Sequence, residues 1–169
     1  MNVKEKVLHC SEYLLKSCQQ EISEIRQVIE SIKWVPDFTF TTGDKHFKHQ
    51  TAYNRAFKNS FTALDWENQP KLSDNPKLIG DFRKHLVFIE IQFGNSSTLY
   101  RDFYKFQYGL TNGMLSVAVL IVPNDENKFF PNRTESVQNM ANFSLACRYF
   151  TVMPISVPTI IFGLLADNE

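Results

Sequence analysis

The sequence predicts an α/β fold in which a mixed β-sheet is flanked by helices on both faces. Stretches with apolar residues at helical spacing alternate along the chain with short apolar runs of strand length. The length of 169 residues fits one domain. An apolar fraction of 43% and an aromatic fraction of 14% are ample for a packed core. We therefore expect residues 1–169 to form a single domain.

The first part of the chain predicts one long helix and then a loosely patterned segment. From Val7 to Ile32 the apolar positions recur in steps of three and four residues, which is one face of a helix. This helix should stop before Pro36, because proline disfavours helical backbone in the residue before it. Residues 37–75 have no such period and predict a surface segment with short irregular structure.

The middle of the chain predicts a hairpin followed by a helix. The segment from Leu78 to Phe93 contains two short strand patterns joined by a polar turn at residues 83–85. A cap at Ser97 or Thr98 would start the next helix, and glycines at its end would terminate it.

The last third of the chain predicts a buried strand, a helix and a final strand region. The run from Leu115 to Val122 is apolar throughout, which is typical of a central strand covered on both faces. A loop over residues 124–133 should lead into a helix over residues 135–149. Residues 155–165 should supply one or two more strands.

Composition and charge exclude several classes of protein. The 18 basic residues balance the 18 acidic ones, so a polyanion must be bound by a local patch and not by a basic surface overall. The longest apolar runs are about half of the roughly 20 residues that span a bilayer, and no signal-peptide pattern is present. We expect a cytoplasmic protein with no membrane partner. The three scattered cysteines match neither a disulfide framework nor a zinc site.

One pair of acids in the hairpin points to a metal site. Side chains alternate along a strand, so Glu90 and Gln92 share one face. If the hairpin is centred between His85 and Leu86, Asp81 lies opposite Glu90, with Cβ atoms about 4.5–5.5 Å apart. Two carboxylates this close favour a divalent cation such as Mg²⁺, which can support phosphodiester hydrolysis. The alternative is an edge hairpin whose polar residues simply face water.

The arrangement of these residues resembles the PD-(D/E)XK nuclease site, in which an acid near a turn is followed by an acid-x-polar triplet on the next strand. The stretch of residues 90–95, EIQFGN, followed by residues 100–107, YRDFYKFQ, resembles type II restriction endonucleases of the BglII and BamHI group. In that group Gln or Glu replaces the triplet Lys, and an Arg-Asp pair opens the next helix. Gly80 departs from the pattern, since it stands where the motif has proline.

The resemblance implies a role for each residue of the site. Asp81 and Glu90 would bind Mg²⁺ together with the carbonyl oxygen of Ile91. Gln92 would position the attacking water or the phosphate, because an uncharged amide is not a general base near neutral pH. Asp81, Glu90 and Gln92 are thus the expected catalytic residues, and Asn95 is expected to contact DNA. An additional upstream acid, Asp65 or Glu67, is a weaker expectation.

Basic residues elsewhere are candidates for binding the DNA backbone or bases. The candidates are Lys45, Lys48, Arg55, Lys58, Arg101 and Arg133. The alternative for the first four is a solvated loop with its aromatic residues turned into the core.

The resemblance as a whole implies a type II restriction endonuclease with restriction-endonuclease-like fold, acting as a Mg²⁺-dependent homodimer on a short palindrome in double-stranded DNA. Two rivals stay open at this point. One is a nicking or repair nuclease that uses the same site, and the other is a noncatalytic DNA-binding subunit of the same fold.

Overall fold

The computed structural model describes residues 1–133, 137–153 and 156–167. Its strands are β1 (Val3–Leu8), β2 (Thr39–Thr42), β3 (Lys45–Lys48), β4 (Glu67–Asn68), β5 (Lys71–Ser73), β6 (Leu78–Ile79), β7 (Phe82–Lys84), β8 (Val87–Ile91), β9 (Val117–Pro123) and β10 (Thr159–Leu164). Its helices are α1 (Glu12–Ser17), α2 (Gln19–Ser31), α3 (His49–Thr62), α4 (Thr98–Thr111), α5 (Glu126–Phe129) and α6 (Phe143–Val152). A short 3-10 turn spans Pro131–Arg133.

The main sheet is mixed, as predicted. Its strand order is β1-β10-β9-β8-β7-β4. The central strands β8, β9 and β10 are parallel to one another, whereas β1, β7 and β4 are antiparallel to their neighbours. The parallel connections run through α4 and through the segment that holds α6. Two further pairs, β2 with β3 and β5 with β6, form small separate sheets.

Helices cover both faces of this sheet, which confirms the predicted architecture. On one face α2 and α3 pack against alternate residues of the central strands, such as Ile89 and Val119. On the other face α4 and α6 pack against the intervening residues, such as Phe88 and Leu120. Because both faces of β8 and β9 are covered, every residue of these two strands is buried.

The prediction of one long helix from Val7 was wrong at its beginning. Val7 belongs to edge strand β1, where it lies opposite Ile160 of β10. The helical segment starts after Ser11, whose side chain caps α1, and it is interrupted at Cys18 before α2. Two adjacent apolar residues such as Val7 and Leu8 are compatible with a strand as well as with a helix. Pairing with β10 determines that they form a strand.

The prediction of irregular structure over residues 37–75 was also wrong. This segment holds β2, β3, β4, β5 and the 14-residue helix α3. The buried residues of α3, which include Tyr53, Phe57 and Phe61, have helical spacing. The basic and polar residues between them obscured this period in the sequence.

The C-terminal elements agree in order with the prediction and differ in extent. Helix α6 begins after Asn142, whose side-chain oxygen accepts from the Leu145 N–H at 2.9 Å, and residues 138–141 of the predicted helix are not helical. Residues 134–136 and Ile155 lie outside the described residues. β10 is the last strand in the described part of the chain, and it lies between β1 and β9 in the sheet. Among the described residues, no helix has both the length and the apolar character needed to cross a bilayer.

Candidate active site

The hairpin of β7 and β8 has the register that the sequence predicts. Arg83 lies opposite Phe88 and Lys84 lies opposite Val87, so the hairpin is centred between residues 85 and 86. His85 adopts a left-handed φ of 49° in the turn. Extending the register by one residue places Asp81, just before β7, across from Glu90 of β8.

Glu90 is a buried acid in the middle of the protein. Glu90 is only 4% exposed, and its Oε1 atom has no hydrogen-bond partner among the described residues. Burial raises the pKa of Glu90 well above its ordinary value, and the neighbouring Asp81 raises it further, while Lys105 opposes the rise. A buried carboxylate oxygen without a partner is costly, and a bound cation would remove that cost.

Asp81 is half-buried and is fixed by the backbone of β8. Its Oδ2 atom accepts from the Ile91 N–H at 2.8 Å. Burial raises the pKa of Asp81, while the Ile91 N–H, Lys105 and Arg101 act to lower it. The next N–H along the strand, that of Gln92, instead donates to Ile121 of β9 at 2.9 Å. Ile91 therefore has its peptide groups on the Asp81 side of the strand, since the N–H and C=O of one strand residue face the same neighbour.

Gln92 is held on both sides of its amide group. Its Nε2 atom donates to Asp102 Oδ2 of α4 at 2.8 Å, and its Oε1 atom accepts from the Gly94 N–H at 2.8 Å. Asp102 itself is buried and faces inward, whereas Arg101 is exposed. The resemblance treated Arg101 and Asp102 as one Arg-Asp pair, but their side chains lie on different faces of α4.

Lys105, which the sequence pattern did not single out, is a buried cation beside the acids. Its Nζ atom lies 2.8 Å from Glu90 Oε2 and 3.1 Å from Asp102 Oδ1. The spacing of Asp102 and Lys105, three residues apart on one helix, is a signal that was present in the sequence. It did not indicate which strand residue the pair would meet.

An open cleft of about 460 Å³ lies beside the acids. Asp81 and Ile91 line it together with Arg55 and Lys58 of α3. The structure thus brings two of the predicted basic residues to the predicted metal ligands. The guanidinium of Arg55 also lies 4.8 Å from the ring centre of Phe47 on β3.

The other candidate DNA-binding residues lie on surrounding elements. Lys45 and Lys48 are exposed on β3. Asn95 is exposed after β8, and its Oδ1 atom accepts from the Ser97 N–H at 2.9 Å at the start of α4. Arg133 donates from Nη1 to Gln50 Oε1, so its guanidinium is partly engaged within the protein.

The two weaker candidates for an upstream acid occupy surface positions. Glu67 on β4 pairs with Arg83 at 2.7 Å, and the side chain of Glu67 is 49% exposed. Asp65 is exposed in a left-handed turn, with φ of 61°. These observations connect neither Glu67 nor Asp65 to Glu90.

The site fits a divalent cation through oxygen ligands. Within the described ranges, no group of three or more His, Cys, Asp or Glu side chains is placed to hold a metal. Two carboxylates with a carbonyl group, completed by water, are nevertheless the donor set that Mg²⁺ prefers. The unpartnered Oε1 atom of Glu90 is the observation that favours a cation over a simple ion-pair network.

Comparison with known proteins identifies the family. A family model described as restriction endonuclease BglII/BglIII matches residues 3–164. The chain belongs to the BglII/BglIII family of restriction endonucleases. It is therefore a type II restriction endonuclease, an enzyme that hydrolyses DNA.

A solved structure of similar fold agrees with this assignment. The restriction endonuclease BglII, crystallised in complex with a DNA 16-mer, superposes with a TM-score of 0.78 at 17% sequence identity. The match covers 99% of this chain and 78% of that one. A comparison with curated proteins gave no match. The restriction-endonuclease-like fold predicted from the sequence is confirmed.

Proposed function

We propose that this endonuclease is a cytoplasmic, Mg²⁺-dependent homodimer that cuts double-stranded DNA at a short palindrome and leaves 5′-phosphate and 3′-hydroxyl ends. The observation that carries the proposal is the acid pair of Asp81 and Glu90, with an unpartnered carboxylate oxygen, beside a cleft lined by Arg55 and Lys58. Family membership supports the reaction class, and the DNA 16-mer bound by BglII supports DNA as the substrate.

In this proposal Asp81, Glu90 and the carbonyl oxygen of Ile91 hold the metal. Glu90 contributes Oε1, since Oε2 is occupied by Lys105. These ligands would place a magnesium ion beside the scissile phosphate, where its chemistry would be to acidify a water and to stabilise negative charge. Burial raises the pKa of both carboxyl groups, and a bound cation would favour their ionised forms.

Gln92 positions the reacting groups and does not act as a base. An amide has two N–H donors and two lone pairs, and the contacts to Asp102 and Gly94 use one of each. One donor and one acceptor stay available for the phosphate or for water. Since both contacts restrain the amide, the direction of the free donor is defined before DNA binds.

The basic residues bind the DNA strands around the acids. Arg55 and Lys58 line the same cleft as Asp81, and Arg101 interacts electrostatically with Asp81, which supports phosphate contacts for all three next to the scissile bond. Lys45 and Lys48 extend this surface along β3. Asn95 and Arg133, which have side chains suited to base edges in the major groove, are the proposed contributors to sequence readout.

A homodimer matches the two-fold symmetry of a palindrome, with one active site for each strand. Exposed apolar surface on the outer helices supports it. Of the exposed large apolar residues in the described ranges, Tyr100, Tyr104 and Val152 lie on α4 and α6. The rings of Tyr100 and Tyr149 are 5.1 Å apart, so the two helices share one aromatic surface that a second copy can cover.

Digestion of phage DNA of known sequence tests the proposal. We expect discrete fragments with a common end sequence when Mg²⁺ is present and intact DNA when EDTA is added. Smeared products or single nicks would support a nicking or repair nuclease. A wild-type protein that binds DNA and stays inert with any divalent ion would support a noncatalytic subunit.

Replacing Asp81 separates catalysis from binding. Asp81→Ala should abolish cleavage with Mg²⁺ because the metal loses one carboxylate ligand. DNA binding in Ca²⁺ should be largely retained, as measured by gel shift. Asp74→Asn, which changes an exposed acid outside the cleft, is the matched control and should cleave at the wild-type rate. Cleavage by Asp81→Ala near the wild-type rate would overturn the assigned site.

A further inference from the structure

Lys105 is buried in an unusual way for a lysine. The residue is 4% exposed, although its ammonium group is charged. Lysine is almost never fully buried unless it is paired. Here it contacts Glu90 at 2.8 Å and Asp102 at 3.1 Å. These two acids come from different elements, strand β8 and helix α4, so the ammonium links the helix to the strand.

The link continues from Asp102 to Gln92, the last residue of the triplet. Asp102 uses Oδ1 for Lys105 and Oδ2 for Gln92, at 2.8 Å from Nε2. Lys105 thus contacts Glu90 directly and Gln92 through Asp102. One cation on α4 is thus connected both to Glu90 of β8 and to Gln92, the residue that follows β8.

We propose that Lys105 is a positioning residue of the endonuclease, which turns Glu90 Oε1 toward the metal and, through Asp102, holds Gln92 toward the scissile phosphate. The inference rests on the function proposed above. By binding Oε2 of Glu90, Lys105 leaves Oε1 as the only oxygen of that carboxylate without a partner. It does not touch DNA or water in this role, so it acts only through the two acids.

The same contacts explain how the acids coexist when no metal is bound. Asp81, Glu90 and Asp102 interact electrostatically across a small buried volume. Lys105 supplies a positive charge among them. Removing that charge leaves buried acids uncompensated, and a divalent ion in the site then becomes their main compensation. Replacing a lysine with a structural role alone would not change how much a divalent ion stabilises the protein.

The variant Lys105→Met removes the charge and keeps a long apolar side chain. We expect kcat for cleavage to fall at least tenfold, with KM for DNA changed less than about twofold, because orientation and not DNA binding is lost. The melting temperature without metal should fall by about 10 °C. Adding Ca²⁺ should restore more of it than the wild-type protein gains, because the ion replaces the missing charge.

Lys84→Met is the matched control. Lys84 is also a partly buried lysine in an ion pair, with Glu24 at 2.8 Å, but it lies outside the site. Its loss should lower the melting temperature without changing the Ca²⁺ response, because Lys84 contacts Glu24 and none of the proposed metal ligands. If Lys105→Met behaves like Lys84→Met, Lys105 is structural and the proposal fails.

Two further variants keep the proposal testable if Lys105→Met does not fold. Glu90→Gln combined with Lys105→Met removes both charges, and it should fold with a melting temperature above that of Lys105→Met. Asp102→Asn keeps the Lys105 contact with Glu90 and weakens the restraint on Gln92, so kcat should fall several-fold at constant KM. A wild-type kcat in Asp102→Asn would overturn the relay to Gln92.

Failure of the proposed function gives a different result. If the wild-type protein does not cleave DNA with any divalent ion, the metal-dependent endonuclease assignment fails before any variant is compared. The Ca²⁺ response of the melting temperature then still decides the role of Lys105, because it requires no turnover.

Discussion

At the scale of single residues, Gly80 shows why this chain departs from the proline of the motif. The Gly80 N–H donates to the Pro70 carbonyl at 2.9 Å, a bond that proline cannot make. A Cβ atom built on Gly80 would lie 1.9 Å from the Phe88 ring, so a side chain is excluded as well. Because the next residue is Asp81, the close packing of Gly80 on Phe88 also positions the first acid.

Gly80→Ala should therefore damage both stability and cleavage. The added methyl group must displace the buried Phe88 ring, at a cost of about 2 kcal/mol in the free energy of unfolding. The displacement shifts Asp81, so cleavage should slow by at least tenfold. Urea unfolding and cleavage rates check the two effects. Gly80→Ala combined with Phe88→Leu should recover part of the stability, and an unchanged single variant would contradict this account.

At the scale of elements, a polar contact ties helix α2 to the hairpin that carries the acids. Glu24 of α2 accepts from Trp66 Nε1 and from Lys84 Nζ, both at 2.8 Å. Lys84, the last residue of β7, also donates to the Leu64 carbonyl at 2.8 Å. These contacts join α2, the segment after α3 and β7, so they restrain the hairpin from the face opposite α4.

The pKa of Glu24 gives this contact a defined pH dependence. Burial raises the pKa, but the hydrogen bonds from Lys84 and Trp66 outweigh burial and hold it below 4.5. A carboxyl group whose folded pKa is lowered stabilises the protein above its unfolded pKa, and that contribution disappears as the pH falls through the folded pKa. Glu24→Gln should thus cost about 1–2 kcal/mol at pH 7, and this cost should shrink as the pH falls through the lowered pKa of Glu24.

Unfolding by urea at a series of pH values checks this expectation. The measured quantity is the difference in unfolding free energy between the wild-type protein and Glu24→Gln. A difference that stays constant between pH 7 and pH 3 would show that the ion pair with Lys84 does not carry the effect. Glu12→Gln, on the exposed surface of α1, serves as the control and should show little difference at either pH.

At the scale of the whole molecule, the chain has no net charge, and yet several of its basic residues lie close together on the surface. The cleft beside Asp81 collects Arg55 and Lys58, and β3 adds Lys45 and Lys48. The proposed affinity for the DNA backbone thus depends on where the basic residues lie and not on the net charge. The aromatic surface of α4 and α6 is likewise an arrangement that only the assembled molecule presents.

Salt dependence measures the phosphate contact proposed for Lys58. Lys58→Ala should reduce the slope of log Kd against log salt by about 1, since one fewer counterion is released from DNA. Binding is measured in Ca²⁺ between about 50 and 200 mM salt. Lys16→Ala, on the exposed side of α1, should leave the slope unchanged. Equal slopes for Lys58→Ala and the wild-type protein would remove Lys58 from the interface.

The proposed dimer surface is tested by charge. Tyr104 is 45% exposed on α4, and Tyr104→Glu would place two like charges near each other across a two-fold interface. Sedimentation should then show monomers, and cleavage of both strands should become slow or change to nicking. Tyr13→Glu, at a residue 83% exposed on α1, should stay dimeric. A dimeric Tyr104→Glu variant would place the interface elsewhere.

The order of the central elements followed from local patterns. The hairpin register that opposes Asp81 and Glu90 needed only the turn position and the two-residue period of a strand. The apolar run of β9 predicted burial on both faces, and the structure confirms it. The hairpin register and the burial of β9 depend on residues that are close together in sequence, so both can be predicted without the tertiary structure.

The sequence by itself determined the α/β class, the opposed acids and the resemblance that led to the restriction endonuclease family. Only the tertiary structure decided that Val7 pairs in a strand, that α3 brings Arg55 and Lys58 to the acids, and that Lys105 contacts Glu90. The reason is distance along the chain. Contacts between residues far apart in sequence form only when the packing of helices on the sheet brings them together, and no local period records them.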